Sequence, residues 1–140
     1  MKAYLDASFL IAMFANDAFT PSARQFLRSE KPVLLVSDFV SAEFVSAVSK
    51  RVRVGQFGMS DARLTLSNFD AWMPRGAQHV NMTSADIKVA EAYLRRLDLT
   101  LRTPDAIHIA MAQRTGAMLL TFDKKMAACA CVLGMPVGPE

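Results

Sequence analysis

Four carboxylates stand in surroundings that do not suit ordinary surface acids: Asp6 in AYLDAS, Glu43 in SAEFVSAV, Asp105 in TPDAIHIAMA and Asp123 in MLLTFDKK. Each alone has a plain explanation. Asp123 can cap the helix that follows it, Asp105 can favour the positive end of a helix dipole, and Glu43 can be a half-exposed helix acid. Asp6 is harder to dismiss, because it follows an apolar run with no obvious Arg or Lys partner nearby, and carboxylates are almost never buried unpaired. Gathered carboxylates repel, raise one another's pKa and need a compensating cation. Oxygen donors in a chain with only two histidines suit Mg²⁺ or Mn²⁺ better than zinc. Such ions activate water and stabilise in-line phosphoryl displacement. The expected chemistry is therefore metal-dependent cleavage or transfer at a phosphodiester or phosphoryl group.

The elements that must position these acids follow from the hydrophobic pattern. Strands are expected at Lys2 to Leu5, Val33 to Val36, Gln78 to Met82 and Met118 to Phe122, with a short last one at Pro136-Val137. Helices are expected from Ser8 to Phe14, from Pro21 to Arg28 behind a Thr20 cap, and from Ser37 or Asp38 to about Val54, ending at Gly55. Ser60 is read as the cap of a helix stopped by Pro74, and Ser84 as the cap of one reaching Leu97 along the spacing Ile87, Ala90, Tyr93, Leu94, Leu97. Thr103-Pro104-Asp105 starts a helix that ends at Gly116, and Lys124 to Leu133 forms the last. Strands separated by helical crossovers give an α/β fold with a mostly parallel sheet covered on both faces. Ligands in such sheets bind beyond the carboxyl ends of the strands, where Asp6 and Asp123 fall.

The chain has 140 residues, one domain's length, with 52% hydrophobic and 21% charged residues and a net charge of +3. That composition excludes a disordered chain and permits a polyanionic partner without requiring one. The apolar run Phe9 to Ala15 is well short of the ~18 residues of a membrane span. Asp6 and the lack of an A-x-A site argue against a secretory signal. Cys129 and Cys131 are read as two buried thiols of a cytoplasmic protein. No Gly-rich phosphate loop is present, and Asp6-Ala7-Ser8 lacks the second acid of an aspartyl-phosphate phosphatase.

YLDAS, SAEF, LRTPDAIHIAMA and LLTFDKKMAACACVLGMPV, in that order across nearly the whole chain, resemble the PIN-domain ribonucleases of the VapC toxin type. The resemblance implies a single PIN domain over residues 1–140 with Asp6, Glu43, Asp105 and Asp123 as both catalytic and metal-binding quartet. It implies Mg²⁺- or Mn²⁺-dependent endonucleolytic cleavage of RNA, leaving a 5′-phosphate and a 3′-hydroxyl, with transfer RNA or ribosomal RNA as target and translation as the process inhibited. Ser8 and Thr121 match small polar positions that support the site in that family. A homodimer and a cognate VapB-type antitoxin are implied as well. The apolar segments Phe9–Phe14 and Phe39–Val48 are expected to line a groove for that antitoxin. Arg51, Arg53, Arg75, Arg102, Lys124 and Lys125 are the candidate RNA contacts, and His108 is expected to be a packed or hydrogen-bonded histidine. Two other readings stay open: a PIN nuclease of RNA processing without an antitoxin, and a PIN-like binding module without catalysis.

Overall fold

In the computed structural model, which describes residues 1–140, five short apolar segments become parallel strands: β1 (Lys2–Leu5), β2 (Val33–Ser37), β3 (Gln78–Val80), β4 (Met118–Leu120) and β5 (Val137–Gly138). Their order is β3-β2-β1-β4-β5, and every neighbouring pair is parallel. The chain thus builds outward from β1 to β2 and β3, then returns to add β4 and β5 on the other side of β1. The reversal opens a crevice beyond the carboxyl ends of β1 and β4, the place where such sheets bind ligands.

Alternation along the strands divides the core in two. Ala3, Leu5, Leu34, Val36 and Leu120 face one layer, made of α1 (Ala7–Phe14), α2 (Thr20–Glu30), α3 (Asp38–Arg53) and α4 (Met59–Gly76). Tyr4, Leu35 and Leu119 face the other, made of α5 (Ser84–Leu94), α6 (Thr103–Arg114) and α7 (Lys124–Val132). Ala106 to Ala112 of α6 are buried without interruption, as expected of a helix enclosed on all sides. Gly116 closes α6 at φ +67°, a left-handed position that glycine adopts without penalty.

Several boundaries differ from the sequence reading, each for a local reason. Pro74 lies inside α4 rather than ending it; Asp70 and Ala71 are exposed there, so the carbonyl that loses its donor meets solvent. Gly58, not Ser60, is the N-cap of α4. Thr20 does not cap α2; its hydroxyl donates to the Ala12 carbonyl at 2.6 Å, tying α2 to α1. Thr83, not Ser84, caps α5 through a reciprocal box with Asp86. Leu97 falls beyond that helix at φ +65° and is 90% exposed.

Cys129 is buried but Cys131 is exposed, because two residues on a helix turn the side chain by about 200°. The proposed antitoxin groove also changes. Phe9, Leu10, Ile11, Ala12, Val40, Phe44 and Val48 all belong to the core, where α1 and α3 pack on each other. No helix is long and apolar enough to cross a membrane.

The α5–α6 pair carries a buried charge. Asp86, 2% exposed, receives Arg114 Nε at 2.7 Å and Nη2 at 3.0 Å, while Nη2 also donates to the Asn81 carbonyl at 2.7 Å. Burial pushes the Asp86 carboxyl up, but hydrogen bonds from Arg114 and Thr83 outweigh it and hold the group below its ordinary range. A depressed carboxyl stabilises the fold above the unfolded pKa of about 3.9, and the contribution is lost as pH falls through the folded value. Arg114→Met is expected to lower stability by about 3 kcal/mol, roughly 10 °C in Tm. In a melting series the gap from wild type should shrink as pH falls below about 3.9, where the unfolded chain takes up the Asp86 proton before the native ion pair does.

Candidate functional site

Asp6 is the first residue beyond β1. Its amide donates to the Leu120 carbonyl at 3.1 Å, which fixes the end of β1 against β4. Its side chain then caps α1: Oδ1 accepts from Phe9 N at 3.0 Å and from Ser8 Oγ at 2.6 Å, and Oδ2 accepts from Thr121 Oγ1. Both hydroxyls also accept from the backbone of the β4–α7 turn, Ser8 from Phe122 N at 2.8 Å and Thr121 from Asp123 N at 2.9 Å. Asp6 is therefore linked through two hydroxyls to the backbone that presents Asp123. It is 5% exposed and has no ion-pair partner. Burial pushes its carboxyl up, and the hydrogen bonds from Ser8, Thr121 and Phe9 only partly offset that. The cause is desolvation, not the repulsion between neighbouring acids expected from the sequence.

Asp123 caps α7, accepting from Met126 N at 3.1 Å. Asp105 is in the first turn of α6, with Arg102 Nε 3.8 Å from its carboxylate. Burial raises the Asp105 carboxyl, Arg102 opposes the rise, and Asp123 adds to it. Asp105 and Asp123 line one cavity of about 370 Å³ together with Thr100, Arg102 and Lys125 and no apolar side chain. Glu43, in the second turn of α3, does not line that cavity and pairs with His108 Nε2. No three acid, histidine or cysteine side chains converge as a ready-made metal cluster. The four acids are instead joined in pieces: Asp105 to Asp123 by the cavity, Asp6 to Asp123 through Thr121, and Glu43 to His108.

The donor set nonetheless fits a hard cation. Oxygen ligands are what Mg²⁺ and Mn²⁺ require. Asp6 is a buried acid without a counter-charge, and three of its roughly four acceptor positions are filled. His108 is close enough to Asp6 and Asp105 that a proton on its ring would favour the charge of both.

Of the basic residues expected near RNA, Arg102 and Lys125 line the cavity and Lys124 begins α7 beside it. Arg51 and Arg53 are in the last turn of α3, a helix of 16 residues and so about 24 Å long. Arg51 lies over the Phe57 ring and Arg53 donates to Ser49. Arg75 is at the end of α4, which leads into the opposite, amino edge of the sheet. Those three are not part of the site. His108 is packed and hydrogen-bonded as expected, 2% exposed between Tyr4 and Glu43, but the sequence did not indicate these partners. The contacts span 104 and 65 residues of chain, so no local signal announces them.

Against known proteins, the model of the PIN domain matches residues 3–130. Ribonuclease VapC46 of Mycobacterium tuberculosis is 29% identical over 137 residues, covering 96% of this chain and 94% of that protein. The solved structure of Mycobacterium tuberculosis VapC20, described as a sarcin-ricin loop cleaving toxin, superposes with a TM-score of 0.71 at 22% identity, covering 90% of this chain and 93% of that one. VapBC2 from Rickettsia felis, bound to a DNA fragment from the promoter of the pair, gives 0.68 at 14% identity, over 99% and 98%.

A raised folded pKa means that the native state holds the proton more tightly than the unfolded chain. The contribution of Asp6 to stability is thus greatest at low pH and declines as pH rises from about 3.9 through the folded value; Asp105 acts in the same sense. Without divalent metal, Asp6→Asn is expected to gain stability relative to wild type as pH rises from about 4 to 7. The slope of that difference is the readout, since Asn also alters the bond from Thr121. A difference in Tm that stays flat with pH would mean Asp6 carries no desolvated charge.

Proposed function

This chain belongs to the PIN-domain family, and on that premise we propose that it is a divalent-metal-dependent endoribonuclease of the VapC type. The observation that carries the reading is that Asp6 and Asp123 follow the neighbouring strands β1 and β4 and are linked through Thr121, with Asp105 in the same cavity as Asp123. The 29% identity to a ribonuclease over nearly the whole length of both chains supports the activity.

Asp6, Glu43, Asp105 and Asp123 are the residues that would hold Mg²⁺ or Mn²⁺. Bound there, the ion supplies Lewis acidity and an activated water for in-line displacement at phosphorus. The chain's own groups do the rest. Ser8 and Thr121 fix the orientation of Asp6 by donating to opposite oxygens. Arg102 and Lys125 attract the phosphates of the RNA backbone to a cavity otherwise lined by acids and one threonine. Cleavage leaves a 5′-phosphate and a 3′-hydroxyl. The net charge of +3 favours recognition through this local basic rim and the shape of a transfer or ribosomal RNA over a general basic surface.

As a toxin of this type the protein acts in the cytoplasm, inhibits translation, forms a homodimer and is neutralised by a VapB-type antitoxin. Toxin–antitoxin complexes from Klebsiella pneumoniae and Salmonella typhimurium among the similar structures support that partnership.

Asp6→Asn, Glu43→Gln, Asp105→Asn and Asp123→Asn are each expected to lose at least about a hundredfold in metal-dependent RNA cleavage, and to lose little more in combination, since they act as a unit. Full activity in any two of them would overturn the quartet. Mn²⁺ at about ten times its dissociation constant should stabilise the wild type by about 1.4 kcal/mol, roughly 3–6 °C in Tm. The shift should be much smaller in Asp105→Asn.

A further inference from the structure

Four side chains from four different elements form a continuous chain toward the site, buried from Ser37 to His108 and half-buried at Glu43. Ser37 ends β2, Tyr4 is in β1, His108 is in α6 and Glu43 is in α3. Ser37 Oγ lies 2.7 Å from Tyr4 Oη, Tyr4 Oη lies 2.7 Å from His108 Nδ1, and His108 Nε2 meets Glu43 Oε1. We propose that this chain runs in one direction only, that it holds His108 in the Nε2–H tautomer, and that His108 is thereby the positioning residue for Glu43. The proposal rests on the functional reading above in taking Glu43 as a member of the site.

The direction follows from counting donors. Ser37 is fully buried, and its hydroxyl meets only the Val40 amide, which donates to it at 3.1 Å, and the Tyr4 phenol. Its proton therefore has one acceptor available, Tyr4 Oη. Tyr4 is fully buried too, and burial pushes its phenol far above the ordinary range, so it keeps its proton. With the Ser37 proton pointing at Oη, the Tyr4 proton has two acceptors in reach, Met111 Sδ at 3.9 Å and His108 Nδ1 at 2.7 Å, and the imidazole nitrogen is the nearer and the stronger of the two. Nδ1 then accepts, and the ring carries its hydrogen on Nε2, where an ionised Glu43 can only accept.

Reversing the chain would put the hydrogen on Nδ1 and leave the Ser37 hydroxyl buried without an acceptor. An unmet buried donor forfeits its hydration with nothing in return, and the structure leaves no buried side-chain polar atom unpaired. The imidazole plane is fixed as well, stacked on Phe39 at 5.0 Å between centroids and 21° between planes.

The consequence falls on Glu43, whose side chain is 30% exposed and which has no other side-chain partner. A free glutamate of this kind loses rotamer entropy when it is ordered. His108 imposes that order before any ligand arrives. Hydrogen bonds that orient a ligating carboxylate commonly govern metal affinity by about 10- to 100-fold.

Two measurements test the chain. The protein has only two histidines, His79 and His108, so ¹⁵N-labelled protein gives a readable imidazole spectrum, with the exposed His79 as internal reference. At about pH 8, above the ordinary histidine pKa of roughly 6.5, His108 is expected to show a single Nε2–H pattern. That pattern should become mixed in Tyr4→Phe while His79 is unchanged. An Nδ1–H or averaged pattern in the wild type would overturn the proposal.

The second measurement is Mn²⁺ affinity by electron paramagnetic resonance. His108→Leu is expected to weaken it about 10- to 100-fold. His108→Gln, whose amide can still donate to Glu43, should recover most of the loss. Wild-type affinity in a folded His108→Leu would refute the positioning role. Should His108→Leu fail to fold, the Tyr4→Phe spectrum and the His108→Gln affinity decide the matter. A wild type that binds no Mn²⁺ and cleaves no RNA would overturn the functional reading instead, leaving the tautomer pattern to judge the chain.

Discussion

A carboxylate placed in the interior without a cation beside it must be held by hydrogen-bond donors, and the donors that hold Asp6 come from more than one element. Phe9 N and Ser8 Oγ belong to α1, and Thr121 Oγ1 follows β4. The same two hydroxyls accept from the amides of Phe122 and Asp123. The desolvated charge thus ties the end of β1, the start of α1 and the turn after β4 into one unit. That unit sets where Asp123 stands, on the cavity it shares with Asp105 of the first turn of α6. The fold tolerates a carboxyl pushed upward by burial at the point where a cation would relieve it.

The crevice exists because the sheet changes direction of growth at β1. A parallel sheet points all its strand ends to one edge, but helices cover most of that edge as they leave. Only where successive connections depart to opposite faces does a gap remain. The two layers contribute two of the four acids each. The layer of α1 and α3 supplies Asp6 and Glu43; the layer of α6 and α7 supplies Asp105 and Asp123. The strand that lies between them carries adjacent residues of opposite task. Tyr4 points into one layer to reach His108, Leu5 packs into the other, and Asp6 closes the strand. One residue of register change in β1 would send Tyr4 to the wrong layer and remove the link from Ser37 to His108.

How far the sequence could be read depended on the range of the interaction behind each feature. The parallel α/β architecture was legible because strand and helix periodicities are local and strong. The caps were less so. Thr83-Ser84-Ala85-Asp86 offers two hydroxyls, and only the Thr83 register returns the Asp86 carboxylate to the cap amide and to Arg114. Pro74 reads as a stop, yet the exposed carbonyl on the solvent side lets α4 continue. The apolar runs of α1 and α3 read equally well as a partner groove or as core. Contact between the two helices, which periodicity does not encode, buries Phe9, Leu10, Val40, Phe44 and Val48, while Met13, Phe14 and Phe39 stay half-buried and Val45 exposed.

The sequence by itself determined which residue types stand at strand ends and helix starts. That was enough to single out Asp6, Glu43, Asp105 and Asp123, because a carboxylate next to an apolar run is anomalous wherever the chain goes. Tertiary structure alone decided how they are joined. It put Asp105 and Asp123 on one cavity, left Asp6 buried with hydroxyls for company, and turned Glu43 onto His108. It also separated Arg102 and Lys125 from Arg51, Arg53 and Arg75, which share their charge but lie toward other parts of the molecule. The reason is one of range. Burial and capping propensities act over a few residues and leave a mark in the local pattern. A hydrogen bond between residues 104 apart, such as Tyr4 to His108, depends on how the layers pack across the sheet and leaves none.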